Sequence, residues 1–372
     1  MRTTALRPSG PVATPSPRPA PLRRALAGLL VIVTTVTLAG CGVRLETAAP
    51  TEPLPDAAEV ARSAAVDDAL ALDAAAGAAA TGTEGAVADV LALVGSASAA
   101  HADALGGVYD SGLPGATPTP SATPSAPVAA TPAEVLALLG ASASTARADA
   151  RDAEDPGMAR LLASVAASRA QLATRLASAL DAEVPALDTE PEGAGLPRGG
   201  SADGSGSGDG SAAEPSTAPS PSATAPEPAD SPGDDLDRAT LLALVLAEDQ
   251  AGYGFEVAAA RLSDDARSRA RSAAAAHRAT ATAWAVAAGV AGTADDPRRV
   301  VYALDGDLSS GDAVRTFCAG LLAGLTDVHA DAVLATTAGT TDRTATVDGL
   351  RSSAVESLAW GGTPTPLPGF PA

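Results

Sequence analysis

The clearest hydrophobic periodicity in the chain lies between residues 236 and 262. Leu241, Val245, Glu248, Gly252, Phe255, Ala259 and Leu262 follow one another in alternating steps of four and three, the spacing of a helix packed in a bundle. The pattern puts one acid, Glu248, on an otherwise apolar seam, and Asp234 or Asp235 is placed to cap the helix. Ser263-Asp264-Asp265 opens a second helix to Gly289, with Ala270, Ala274, His277, Ala281, Trp284 and Ala288 on one face. Ser309-Ser310-Gly311-Asp312 opens a third through Val314, Phe317, Cys318, Leu321, Leu325 and Val328. Thr340-Thr341-Asp342 opens a fourth through Val347, Leu350, Ala354 and Leu358, stopped at Trp360-Gly361-Gly362. These predict a four-helix bundle over 235–362 with one long connection, followed by a Pro-rich tail, 363–372, that cannot continue the last helix.

Residues 56–185 read as an Ala-rich helical region. Its first helix carries Val60, Ala64, Ala65, Leu70 and Leu72 as seam positions. Thr81-Gly82-Thr83-Glu84 offers the N-cap of a second, reaching Gly106. Ala88–Gly95 recurs 45 residues on as Ala133–Gly140, which suggests duplicated helices in one bundle rather than a solenoid. The Pro/Ala/Thr/Ser-rich stretch 113–132 is an extended loop, Thr131-Pro132-Ala133-Glu134 starts a third helix, and a fourth runs from Pro156 to Leu180. Residues 186–234 are Gly/Ser-rich and then Pro-rich. Such a composition buries too little apolar area to offset its ordering entropy. As a disordered linker it would hold the two helical regions roughly 40 Å apart. The fold class expected is all-α.

Composition adds compartment and excludes partners. All 24 cationic residues are Arg, against 44 acids, and five of the arginines precede residue 41, where there is no acid. The remainder is strongly acidic, which excludes a nucleic-acid footprint and a polybasic membrane contact. Seven of the eight aromatics follow residue 250, so the best-packed core is expected there. The Arg-rich start, the apolar run 25–40 and the ending Leu38-Ala39-Gly40-Cys41 read as a signal peptide, 1–40. That ending resembles the lipobox of bacterial lipoproteins. The resemblance implies acylation of Cys41, a tether over 41–55, and anchoring at the extracytoplasmic face of the cell membrane. Cys318 then has no disulfide partner and is expected as a small buried core residue.

Leu246–Phe255, Ala276-His277-Arg278, and Trp360-Gly361 with Pro368-Gly369-Phe370-Pro371 together resemble the ferritin-like domain family of unknown function number 4439, found in actinobacterial secreted and lipid-anchored proteins. The resemblance covers about 236–372 and implies a ferritin-like bundle. Di-iron members of that wider superfamily use a Glu from each of two helices and Glu-x-x-His from each of the others. Glu248 matches the first carboxylate and His277 can stand for a histidine, but Ala274 occupies the position three before it. Thr326 likewise precedes His329, and Ala359 follows Glu356. A complete di-iron centre is therefore not expected. Glu248 and His277 are expected as a buried carboxylate–imidazole pair fixing helix register. Glu356 is expected as a solvated helix residue, His329 as peripheral to its seam, His101 as a surface or partly buried polar residue, and Trp284 and Trp360 as packing.

No phosphate loop, nucleophile elbow or Cys–His pair is present. The expectation is thus a lipid-anchored binding or scaffolding protein rather than an enzyme, with no cofactor and with a protein partner or small ligand. Its rival is a metal-binding or oxidase bundle using Glu248 and His277, with Glu356 and Asp327 as further candidates.

Overall fold

The computed structural model describes residues 54–109, 131–186, 233 and 235–371. The expected signal segment and Cys41, residues 113–130 of the Pro-rich loop, and all of the linker 186–234 except 186 and 233 lie outside them. Among the described residues the chain is all helical, with α1 (Ala57–Ala80), α2 (Ala86–Ala104), α3 (Pro132–Asp152), α4 (Pro156–Leu180), α5 (Arg238–Arg261), α6 (Asp264–Ala287), α7 (Gly311–Leu334) and α8 (Thr341–Leu358).

Local sequence explains the helix starts. Asp56 accepts the Glu59 N–H at 2.8 Å, Thr131 and Glu134 form a reciprocal capping box ahead of Pro132, and Asp155 caps α4 ahead of Pro156. Two caps differ from expectation. Helix α2 begins after Gly85 with no side-chain cap, because the Thr83 hydroxyl donates backward to Ala79 O on α1. Helix α5 is capped by Asp237, whose carboxylate accepts the Thr240 N–H at 2.7 Å. Asp235 is instead engaged by Thr337 and Thr340, at the turn between α7 and α8.

Helices α1–α4 pack as a bundle in which α1 lies beside α2 and α3, and α4 beside α3 and α2. The repeated segments fall on α2 and α3, and their equivalent positions Val90/Val135, Leu91/Leu136 and Val94/Leu139 all enter one core. Of the five residues expected on the α1 seam, Ala65 and Leu72 are buried, but Val60, Ala64 and Leu70 are exposed, and the contact face is completed by Val66, Ala69, Ala76 and Ala79. In a helix this rich in alanine the small side chains set the line of close approach.

Helices α5 and α6 form one hairpin and α7 and α8 another, joined by the connection 288–310, with α7 against α5. All seven predicted α5 seam residues are buried, as are Ala270, Ala274, His277, Ala281 and Trp284 of α6. Cys318 is buried in the same core, in the cluster that holds Phe317 and Leu322. Helix α7 is the one described helix long and apolar enough to cross a membrane, and half of its apolar stretch is buried in this bundle.

The expected separation of the two helical regions does not hold. Helix α4 packs on α7 and α8 as well as on α2 and α3, and every residue from Leu162 to Ala173 is buried. A helix buried all round belongs to the centre of a larger body. One core joins Ala65, Leu105, Leu162 and Ala163 to Ala330, Val333, Val347 and Leu350. Arg343 of α8, fully buried, donates to Ala150 O at 3.0 Å and Ala153 O at 3.1 Å at the end of α3. Arg147 of α3 meets Asp348 of α8 through two hydrogen bonds, 2.5 and 2.7 Å. All the described residues fall in one compact unit.

Candidate functional site

Glu248 sits at mid-length of α5, 3% exposed, and each carboxylate oxygen meets an imidazole from a different helix. His277 Nδ1 of α6 donates to Oε2 at 2.7 Å, and His329 Nε2 of α7 donates to Oε1 at 2.9 Å. Nε2 of His277 faces Glu356 Oε2 of α8 at 3.5 Å. The four helices of the C-terminal bundle therefore supply one residue each to a single chain, Glu356–His277–Glu248–His329.

Burial is the largest influence on Glu248 and works to raise its pKa. The hydrogen bonds from His277 and His329 outweigh it and hold the carboxyl below the ordinary glutamate range. For His277 burial again acts first, downward, but the bonds and charges of Glu248 and Glu356 together lift it to about 9. At neutral pH His277 is an imidazolium between two carboxylates. Its ring also lies flat on Phe255, 5.5 Å between centroids and 6° from parallel, and Phe255 in turn contacts Trp360.

His329 corrects the sequence reading: it is 2% exposed and on the seam. The buried positions of α7 run Val314, Cys318, Leu322, Leu325, His329, Ala332, so Leu322 rather than Leu321 carries the seam, and the shift of one residue brings His329 inward. The signal was present in the pattern, since the two leucines are equivalent by type. Gly349 of α8 makes room for the ring, because a Cβ there would lie 2.2 Å from His329 Cε1. Glu356 is partly buried against His277 rather than freely solvated. Asp327 is exposed and takes no part. His101 is also corrected: it is fully buried on α2, where Nε2 donates to Pro366 O at 2.8 Å.

The neighbouring Asp249 points the other way, toward the crossover. It accepts from Arg278 of α6, from the Tyr302 hydroxyl at 2.5 Å and from the Arg299 N–H at 3.3 Å. Burial and this bond to a carboxylate push the Tyr302 hydroxyl up to about 12. Arg278 also forks onto Glu256, both nitrogens at 3.1 Å. Its stem crosses α5 at Gly252, where a Cβ would come within 2.9 Å of it, and Gly254 likewise admits Leu321. The Glu-Asp pair and the two glycines of α5 thus each answer to a partner on α6, α7 or the crossover.

These are the segments on which the family resemblance rests. Residues 240–372 match the family described as Domain of unknown function (DUF4439). No curated protein and no solved structure matches the chain. Within residues 235–362 no helix carries a Glu-x-x-His pair. Glu248 and Glu356 lie on opposite edges of the His277 ring, so they cannot share an ion with it, and the two oxygens of Glu248 are divided between two rings. Among the described residues no three His, Cys, Asp or Glu side chains are arranged to hold a metal ion.

Proposed function

We propose that the protein is an exported lipoprotein, acylated at Cys41, whose helical body acts non-enzymatically, binding or scaffolding at the outer face of the cytoplasmic membrane. The observation that carries the non-enzymatic reading is the division of Glu248 between His277 and His329. The inward acid that would serve as ligand or base in a ferritin-like bundle is spent joining helices. The ferritin-like reading is supported by the two hairpins and the single long connection, 288–310. Anchoring is supported by Leu38-Ala39-Gly40-Cys41 after an apolar run, and the acidic surface disfavours nucleic acid as the partner.

Two measurements test this. Cys41→Ser expressed in the native host is expected to leave the membrane fraction and lose the mass of the acyl chains; unchanged partitioning and mass would sink the anchor. Elemental analysis of the Cys41→Ser chain after anaerobic loading with iron, manganese and zinc is expected to find no stoichiometric metal. Stoichiometric metal that disappears in Glu248→Ala and His277→Ala would replace this reading with the metal-binding rival.

A further inference from the structure

Residues 363–371 leave α8 after Gly361-Gly362 and run non-helically across the N-terminal helices. The contacts fall largely on main chain. His101 Nε2 of α2 donates to Pro366 O at 2.8 Å, Ser164 of α4 to Pro368 O at 2.8 Å and Arg160 of α4 to Gly369 O at 2.5 Å. Gln171 Oε1 accepts the Thr365 N–H at 3.1 Å, while its Nε2 is held by Ala354 O at 2.7 Å. His101, Ser164 and Gln171 are at most 3% exposed. Two side chains of the segment also seat: Leu367 against Ala146, Val165 and Ala166, and the Phe370 ring under the Arg160 guanidinium at 4.6 Å.

The chemistry of this groove is specific. Pro364, Pro366 and Pro368 have no N–H, so a segment Thr-Pro-Thr-Pro-Leu-Pro presents carbonyls in excess and few donors. The groove answers with three side-chain donors and one acceptor, the acceptor placed at the non-proline Thr365. Proline-rich chains are extended before binding and lose little entropy on docking. The side chains that hydrogen-bond the tail all precede Asp181, while Gly369 also seats against α7, where a Cβ on it would lie 2.4 Å from that of Ala330. The tetrapeptide Thr-Pro-Thr-Pro occurs once more in the chain, at 117–120.

We propose that the groove lined by α2, α3 and α4 is a receptor for extended proline-rich peptides of the type Thr-Pro-Thr-Pro-Leu-Pro-Gly-Phe, and that the C-terminal segment is its ligand in cis. This names the partner class for the binding role proposed above and rests on that reading; it is independent of the anchor, whose failure would leave the groove intact.

The test uses the folded Cys41→Ser chain with a protease site inserted between Gly361 and Gly362, cut after folding so that the groove forms with its tail in place. A fluorescein-labelled peptide of sequence 363–372 is followed by anisotropy. Saturable exchange into the cut protein is expected, with weaker uptake by the uncut chain, whose tethered tail competes, and His101→Ala and Gln171→Ala are each expected to weaken it about tenfold. A Gly/Ser peptide of equal length is expected not to bind. A tail that never exchanges with excess peptide, a released tail that the peptide does not replace, or equal binding to the uncut chain would each overturn the proposal.

Discussion

An ionised carboxylate among alanines loses its hydration, and only paired, hydrogen-bonded partners offset that loss. Glu248 has two, and His277 has a second acid behind it. Glu248→Ala would leave two buried imidazoles without their acceptor, so a loss of about 3–5 kcal/mol in unfolding free energy is expected. Urea denaturation measures it, and a loss within about 1 kcal/mol would show that the chain contributes little. The same network sets a pH dependence. The folded pKa of His277 is raised to about 9 from about 6.5 in an unfolded chain, so the folded state binds more protons between those values. The stability it contributes is full below about pH 6.5 and is lost as pH rises through 9. A melting temperature that falls over this window in the parent and stays flat in His277→Gln is the expected signature. Equal slopes in both would assign the alkaline loss to other groups.

At the scale of helices, what was legible depended on side-chain size. Helix α5 was the most legible, since Leu241, Val245 and Phe255 mark a seam whose every position is buried, although Leu244, Asp249, Ala251 and Ala258 beside it are buried as well. Helix α1 could not, because alanines fill the contact face while Val60 and Leu70 point outward. Helix α7 fell between the two: Leu321 and Leu322 are adjacent and identical, and choosing the wrong one hid His329. The glycines of the second hairpin separate packing from propensity. Gly349→Ala drives a methyl into the His329 ring, and a loss of about 1–3 kcal/mol is expected. Gly320 and Gly324 of α7 have open space where a Cβ would go. Alanine at either should stabilise by about 0.5–1 kcal/mol. Thermal melts of the three variants decide it, and a destabilised Gly320→Ala would mean that something else occupies that face of α7.

In the whole molecule the two regions that composition keeps apart share a core. The docking was not legible because the second face of α4 is built from alanine and serine together with Gln171, which donates to Ala354 O of α8, and such residues mark no hydrophobic seam. Arg343 was equally hidden, since a fully buried arginine is rare unless it is paired. Arg343→Ala would leave the carbonyls of Ala150 and Ala153 without their donor, and a loss of about 2 kcal/mol or more is expected. Calorimetry of the parent should show one cooperative transition; two resolved transitions would mean that the α4 interface is too weak to couple the halves.

Helix α4 also bears on how such a chain can evolve. The family match begins at residue 240, but the α7–α8 face carrying Ala330, Val333, Val347 and Leu350 is closed by residues that precede it. The stretch that matches the family is therefore smaller than the stretch that folds. A gene fusion that moved residues 240–372 alone would carry an uncovered apolar face into its new chain. It would persist only where another helix took the place of α4.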